Sequence, residues 1–159
     1  RSHFKRDRAQ YAERARRLLA RVGLDGYAEQ FPWQLSGGMQ QRVAIARGIA
    51  SQSELLLLDE PLAAVDAQTR ADMQDLLLDL ARRFNQTCVL VTHDVEEAVY
   101  MADRVLVLGP RPTHVVREIA IDLPKPRDQI STREDPTFLH ARHEVMSLIR
   151  TMRQGQKLS

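Results

Sequence analysis

Leu55-Leu56-Leu57-Leu58 carries no polar residue and stops at Asp59-Glu60-Pro61. The run is too short for a helix and too uniformly apolar for a half-exposed strand. It therefore predicts a strand buried on both faces, as in a parallel sheet covered by helices. A parallel neighbour needs a crossover of about a dozen residues or more, and the next β-rich run, Thr87–Thr92, leaves room for one. Asp66 can cap a helix over 67–84, with Met73, Leu76, Leu77 and Leu80 on one stripe.

The same alternation continues on either side. Helices are predicted over 8–22 (Tyr11, Ala15, Leu18, Leu19 and Val22 at helical spacing, closed by Gly23 and Gly26) and over 37–51 (Val43, Ala46, Ile49 and Ala50 inward). Asp94 with Glu97 three residues on predicts a capping box opening a helix over 95–102. Strands are predicted at 105–108 and 115–121, and Asp135-Pro136 opens a last helix over 136–153. Strand and helix in turn make an α/β fold.

Composition excludes several classes. The 159 residues are 43% hydrophobic and 28% charged, which suits a globular piece rather than disorder. A net charge of +2 is too small to point to nucleic acid. Arg1, Arg6, Arg8, Arg14, Arg16, Arg17 and Arg21 are interleaved with Asp7 and Glu13 and read as a solvated helix face. One cysteine, Cys88, excludes an internal disulfide, fits a reducing compartment and reads as an inert residue of a buried strand. No apolar run reaches the roughly 18 residues of a membrane span, so a cytoplasmic location is expected, with any membrane link made through a partner. His140 and His143, three apart on the last helix, read as a solvated face because no third ligand is near in sequence.

Four segments carry the chemistry, in chain order: Leu35-Ser36-Gly37-Gly38-Met39-Gln40, Leu55–Glu60, Asp66, and Thr92-His93-Asp94. Ser36-Gly37-Gly38 sets a hydroxyl and bare backbone N–H groups at a helix start, an anion site. Asp59 and Glu60 stand at the carboxyl end of a strand, where open α/β sheets bind ligands. Being adjacent they point different ways, one able to face a metal and the other a water. His93 ends the next strand and can donate to an anion.

These segments resemble the nucleotide-binding subunits of ATP-binding cassette (ABC) transporters, over nearly the whole chain. Leu35–Gln40 looks like the signature motif, Leu55–Asp59 like the Walker B strand, Leu62–Asp66 like the D-loop, and His93 like the switch histidine. The resemblance implies that Asp59 holds Mg²⁺ through water, Glu60 activates the attacking water, and His93 contacts the γ-phosphate. It also implies that Ser36, Gly37, Gly38 and Gln40 cover ATP on a second ATPase subunit, with Asp66 acting across the same interface. Ala63 and Val65 depart from the commoner D-loop residues. Phe31 and Trp33, just before the signature, read as packing residues.

The phosphate loop of the family, G-x-x-x-x-G-K-[ST], has no match: none of the three lysines, Lys5, Lys125 and Lys157, follows a glycine. With Arg1 first and Met39 the first methionine, the expectation is an N-terminally truncated nucleotide-binding domain, the C-terminal part of a P-loop NTPase fold with a mostly parallel sheet. Residues 1–50 would be part of the helical subdomain with the signature, 51–128 part of the catalytic core, and 129–159 a tail helix. The phosphate-loop strand of the family lies between the switch-histidine strand and the next one, so a gap is expected between Thr87–Thr92 and Val105–Leu108. Asp66–Arg70, Ala102–Leu108 and Leu123–Arg127 resemble ATPase subunits of nitrate, sulfonate and taurine importers, with transmembrane permease subunits as partners. Two alternatives are a natural half-domain lending its signature edge to a partner's ATP site, and a non-transport ABC ATPase.

Overall fold

The computed structural model describes backbone residues 2–156 except Gln52 and Ala64, and side chains from Arg8 to Gln154. The chain divides into two compact units, residues 1–89 and 90–159.

In the first unit, α1 (Ser2–Arg21) begins earlier than its periodicity predicts. It closes where Gly23 turns left-handed at φ +72. There Leu24 N–H reaches the Leu19 carbonyl and Gly23 N–H the Ala20 carbonyl, the paired bonds of a Schellman stop. A 3-10 turn (Pro32–Gln34) leads into α2 (Gly37–Ala50). Leu18, Val22 and Leu24 form one core with Ile45, Ala46 and Ile49. Arg42 ties the two helices by donating to the Val22 carbonyl at 3.0 Å. Ala50, expected inside, is exposed, and Ile45 is buried in the helical face instead.

Strand β1 (Leu55–Asp59), helix α3 (Ala67–Phe84) and strand β2 (Thr87–Val91) follow as predicted. β1 and β2 are hydrogen-bonded neighbours. Thr87, the first residue of β2, donates its N–H to the carbonyl of Glu54 just before β1 (3.0 Å), and an 18-residue helix joins the strands, so they run parallel. Their burial differs from expectation. Leu56 lies under α2, where a Cβ on Gly48 would sit 2.8 Å from its Cδ1. Leu55 and Leu57, by contrast, are 45% and 69% exposed, and Val89 and Val91 are exposed too. Cys88 is likewise exposed rather than inside a core. The reason is architectural: among the described residues one helical layer and two strands cannot cover both faces of a sheet. Partial shielding from water still raises the Cys88 thiol pKa above its ordinary value.

In the second unit, α4 (Val95–Met101) is capped by Asp94, whose carboxylate accepts from the N–H groups of Glu96 (2.9 Å) and Glu97 (3.2 Å). Strands β3 (Arg104–Leu108) and β4 (Val115–Ala120) form an antiparallel hairpin with Val105 opposite Ile119, both buried. A four-residue helix α5 (Ser131–Glu134), unforeseen in the sequence, precedes α6 (Pro136–Gln156), which packs on α4 and β3. The Arg127 side chain is buried and donates to the Tyr100 carbonyl at 2.6 Å. Among the described residues the strands form two separate two-stranded sheets, β1 with β2 and β3 with β4.

Candidate functional site

Seven of the eight singled-out residues lie in the first unit. Ser36 is the N-cap of α2: its backbone is extended and its hydroxyl oxygen accepts from Met39 N–H at 3.3 Å. Gly37 and Gly38 open the helix, so their N–H groups have no carbonyl within it to bond. Gln40 turns back on its own approach loop. Its amide donates to the carbonyls of Pro32 (2.9 Å) and Leu35 (3.1 Å), which leaves its Oε1 for an outside donor.

Asp59 is exposed at the end of β1, and Glu60 follows half-buried. Glu60 has φ +46, a left-handed backbone that non-glycine residues rarely adopt. Such strain persists where surrounding structure imposes it, often at functional sites. Close by, Gln41 Nε2 donates to the carbonyl of Pro61, fastening the turn after Glu60 to α2.

Asp66 caps α3, accepting from the hydroxyl of Thr69 at 2.6 Å and from its N–H at 3.0 Å. These bonds, the hydroxyl first, hold the Asp66 carboxyl below the ordinary aspartate value. A Cβ on Gly38 would lie 3.3 Å from the Thr69 methyl. The N-termini of α2 and α3 are therefore neighbours, linked Gly38 to Thr69 to Asp66. The first unit thus brings the start of α2, the turn after β1 and the Asp66 carboxylate into one connected set. His93 belongs to the second unit; it is exposed, just after β2, beside Thr92, whose hydroxyl accepts from Asp94 N–H at 3.1 Å.

A family model described as "ABC transporter" matches residues 2–63. Aliphatic sulfonates import ATP-binding protein SsuB 2 of Pseudomonas syringae pv. tomato is 52% identical over 130 residues, 82% of this chain and 54% of its own length. SsuB 1 of Xanthomonas axonopodis pv. citri is 45% identical over 144 residues, 91% of this chain and 56% of its own. The chain belongs to the ABC transporter ATP-binding domain family. It spans about half the length of the curated relatives it matches. The ABC fold agrees: a dimeric ATP-binding cassette bound to ADP and Pi superposes with a TM-score of 0.58 at 37% identity, covering 69% of this chain and 46% of that one.

In this ABC chain two participants escape sequence reading. Gln41 reaches the site through a tertiary contact with Pro61, and Thr69 through local bonds to Asp66. Thr69 carried a local signal, standing three residues after a capping aspartate, whereas nothing local in the sequence pointed to the Gln41 bond with Pro61. Phe31 and Trp33, read as packing residues, do stack on each other at 4.5 Å, but Trp33 is 76% exposed.

Proposed function

We propose that this chain supplies the Walker B, signature and switch elements of an ATPase subunit that couples ATP hydrolysis to import of a small anionic nutrient of the sulfonate, nitrate or taurine kind. The observation that carries the reading is the Gln41–Pro61 bond, which joins the signature helix to the strained Glu60 turn. In this reading residues 1–50 belong to a helical subdomain, 51–128 to the catalytic core and 129–159 to a tail helix. Its partners are a second ATPase subunit and transmembrane permease subunits. That puts it at the inner face of the membrane.

The chemistry is in-line attack of water on the γ-phosphate, driven by positioning and charge stabilisation. Glu60 orients the water and accepts its proton on the carboxylate. His93 donates a hydrogen bond to a γ-phosphate oxygen. The N–H groups of Gly37 and Gly38 and the Ser36 hydroxyl face the phosphates of ATP held by the second subunit. Asp59 suits Mg²⁺, which keeps several waters and binds through one or two carboxylates plus substrate phosphates. Among the described residues no cluster of three potential ligands would favour a tighter, all-protein metal site. When bound, Mg²⁺ neutralises phosphate charge.

Glu60→Gln, in the protein expressed from its whole reading frame, should retain ATP binding and lose about 10²–10⁴ in turnover. Unchanged turnover would remove Glu60 from its role. The half-domain alternative stays testable in parallel: it requires that reading frame to lack any G-x-x-x-x-G-K-[ST] upstream.

A further inference from the structure

His93 stands just ahead of a short helix, and what fixes that helix fixes the backbone around the histidine. α4 has seven residues, too few to hold its own form, since isolated helices under about a dozen residues are marginal in water. Its last turn is anchored by packing: Val99 and Tyr100 are fully buried, and Arg127 donates to the Tyr100 carbonyl at 2.6 Å. Its first turn, an end that would otherwise fray, has a different anchor. One carboxylate, that of Glu96, accepts from two arginines on two other elements. Oε2 accepts from Nη1 of Arg133 on α5 at 3.0 Å, and Oε1 from Nη1 of Arg142 on α6 at 2.8 Å.

Arg133 arrives already oriented. Its Nε donates to Gln129 Oε1 at 3.2 Å, and its guanidinium lies over the rings of Tyr100 (4.9 Å) and Phe138 (5.9 Å), both buried. A guanidinium held against aromatic faces loses little freedom on meeting a carboxylate. From Glu96 the bonds run to the histidine in two steps. Glu96 N–H donates to the Asp94 carboxylate at 2.9 Å, and Asp94 N–H donates to the Thr92 hydroxyl at 3.1 Å. The residues on both sides of His93 are therefore tied to each other and to the clamped turn. Two ion pairs drawn from different elements define a direction as well as a contact, and direction is what a hydrogen-bond donor to a phosphate needs. We propose that Glu96, gripped by Arg133 and Arg142, is a positioning residue for His93: α5 and α6 hold the first turn of α4 and, through the Asp94 cap, the backbone on either side of the histidine. This rests on the reading of His93 as the γ-phosphate contact.

The test uses Glu96→Gln in the protein expressed from its whole reading frame, with kcat, the KM for ATP and the His93 Hε1 NMR signal, assigned by its loss in His93→Gln. Glu96→Gln should lower kcat about ten-fold, short of the roughly 100-fold that a misplacement of about 1 Å can cost. It should leave the KM unchanged and shift or broaden the His93 signal. Arg142→Gln, which removes one pair and keeps the other, should give a smaller change of the same kind, and it carries the test if Glu96→Gln does not fold. Arg142→Lys, which keeps the charge, should restore most of that loss. Arg117→Gln is the control: it breaks the 3.5 Å pair between β4 and Glu144 of α6 without touching α4, and should leave all three readings unchanged. An unchanged kcat overturns the proposal. A fall in kcat with the His93 signal unmoved also overturns it, because Glu96 then acts through another group. So does an equal fall in Arg117→Gln, because α6 then serves stability alone. If the unsubstituted protein turns over ATP and Glu60→Gln abolishes this, a null result at Glu96 rejects the clamp alone. No turnover by the unsubstituted protein rejects the ATPase reading and the clamp together.

Discussion

Asp66 is the residue whose local chemistry is most fully explained. Its carboxylate accepts from the Thr69 hydroxyl and N–H, which favours the charged form and lowers its pKa from 3.8. A depressed folded pKa contributes stability that is complete above the ordinary value and is lost as pH falls through the folded one. The α3 cap should therefore persist at pH 3.8 and weaken only in stronger acid. A carboxyl-detected NMR titration should put the Asp66 midpoint below 3.8, and Thr69→Val should move it up. A midpoint unmoved by Thr69→Val would mean that the hydroxyl is not the leading cause. The capping spacing made this residue readable in the sequence. Glu60 was readable only as chemistry: the proline after it favours extended backbone, opposite to the left-handed turn it adopts. The Gln41 side chain that meets this turn at Pro61 comes from α2, remote in sequence.

At the scale of elements, the helices and strands follow the sequence closely, because caps at Ser36, Asp66 and Asp94 and the stop at Gly23 are local signals. What lies between elements is less legible. Leu55–Leu58 identifies a strand, but apolar identity alone cannot say whether both faces are covered, and here Leu57 is not. Likewise nothing in Gln41 announces that it bridges α2 to the turn after β1. Since that bond is part-buried, Gln41→Ala should cost about 1 kcal/mol, the usual net worth of one hydrogen bond. Urea unfolding of the protein from its whole reading frame measures it. No loss of stability would show that the bridge is energetically idle, and the link from signature helix to Glu60 would need another carrier.

For the molecule as a whole, each of the two sheets leaves apolar strand residues in water: Leu57 and Val91 on β1 and β2, Leu106 and Leu108 on β3. Unpaired strand edges with exposed apolar side chains are templates for association. The 159 residues purified by themselves should therefore self-associate. Size-exclusion chromatography should show species larger than an 18.2 kDa monomer, and Leu57→Lys with Val91→Lys should reduce them. The same chain should not hold nucleotide. Lys5, Lys125 and Lys157 are its only lysines, and none sits in a glycine-rich phosphate loop. A helix start with one carboxylate turn offers phosphates a face but no cradle. Equilibrium dialysis with ATP and Mg²⁺ should find no binding at about 1 mM, where a Kd of that size would correspond to only about 4 kcal/mol. Tight binding by these residues alone would mean that the signature edge grips ATP without a second subunit. Ser36–Gly38 would then form a complete site rather than a cover.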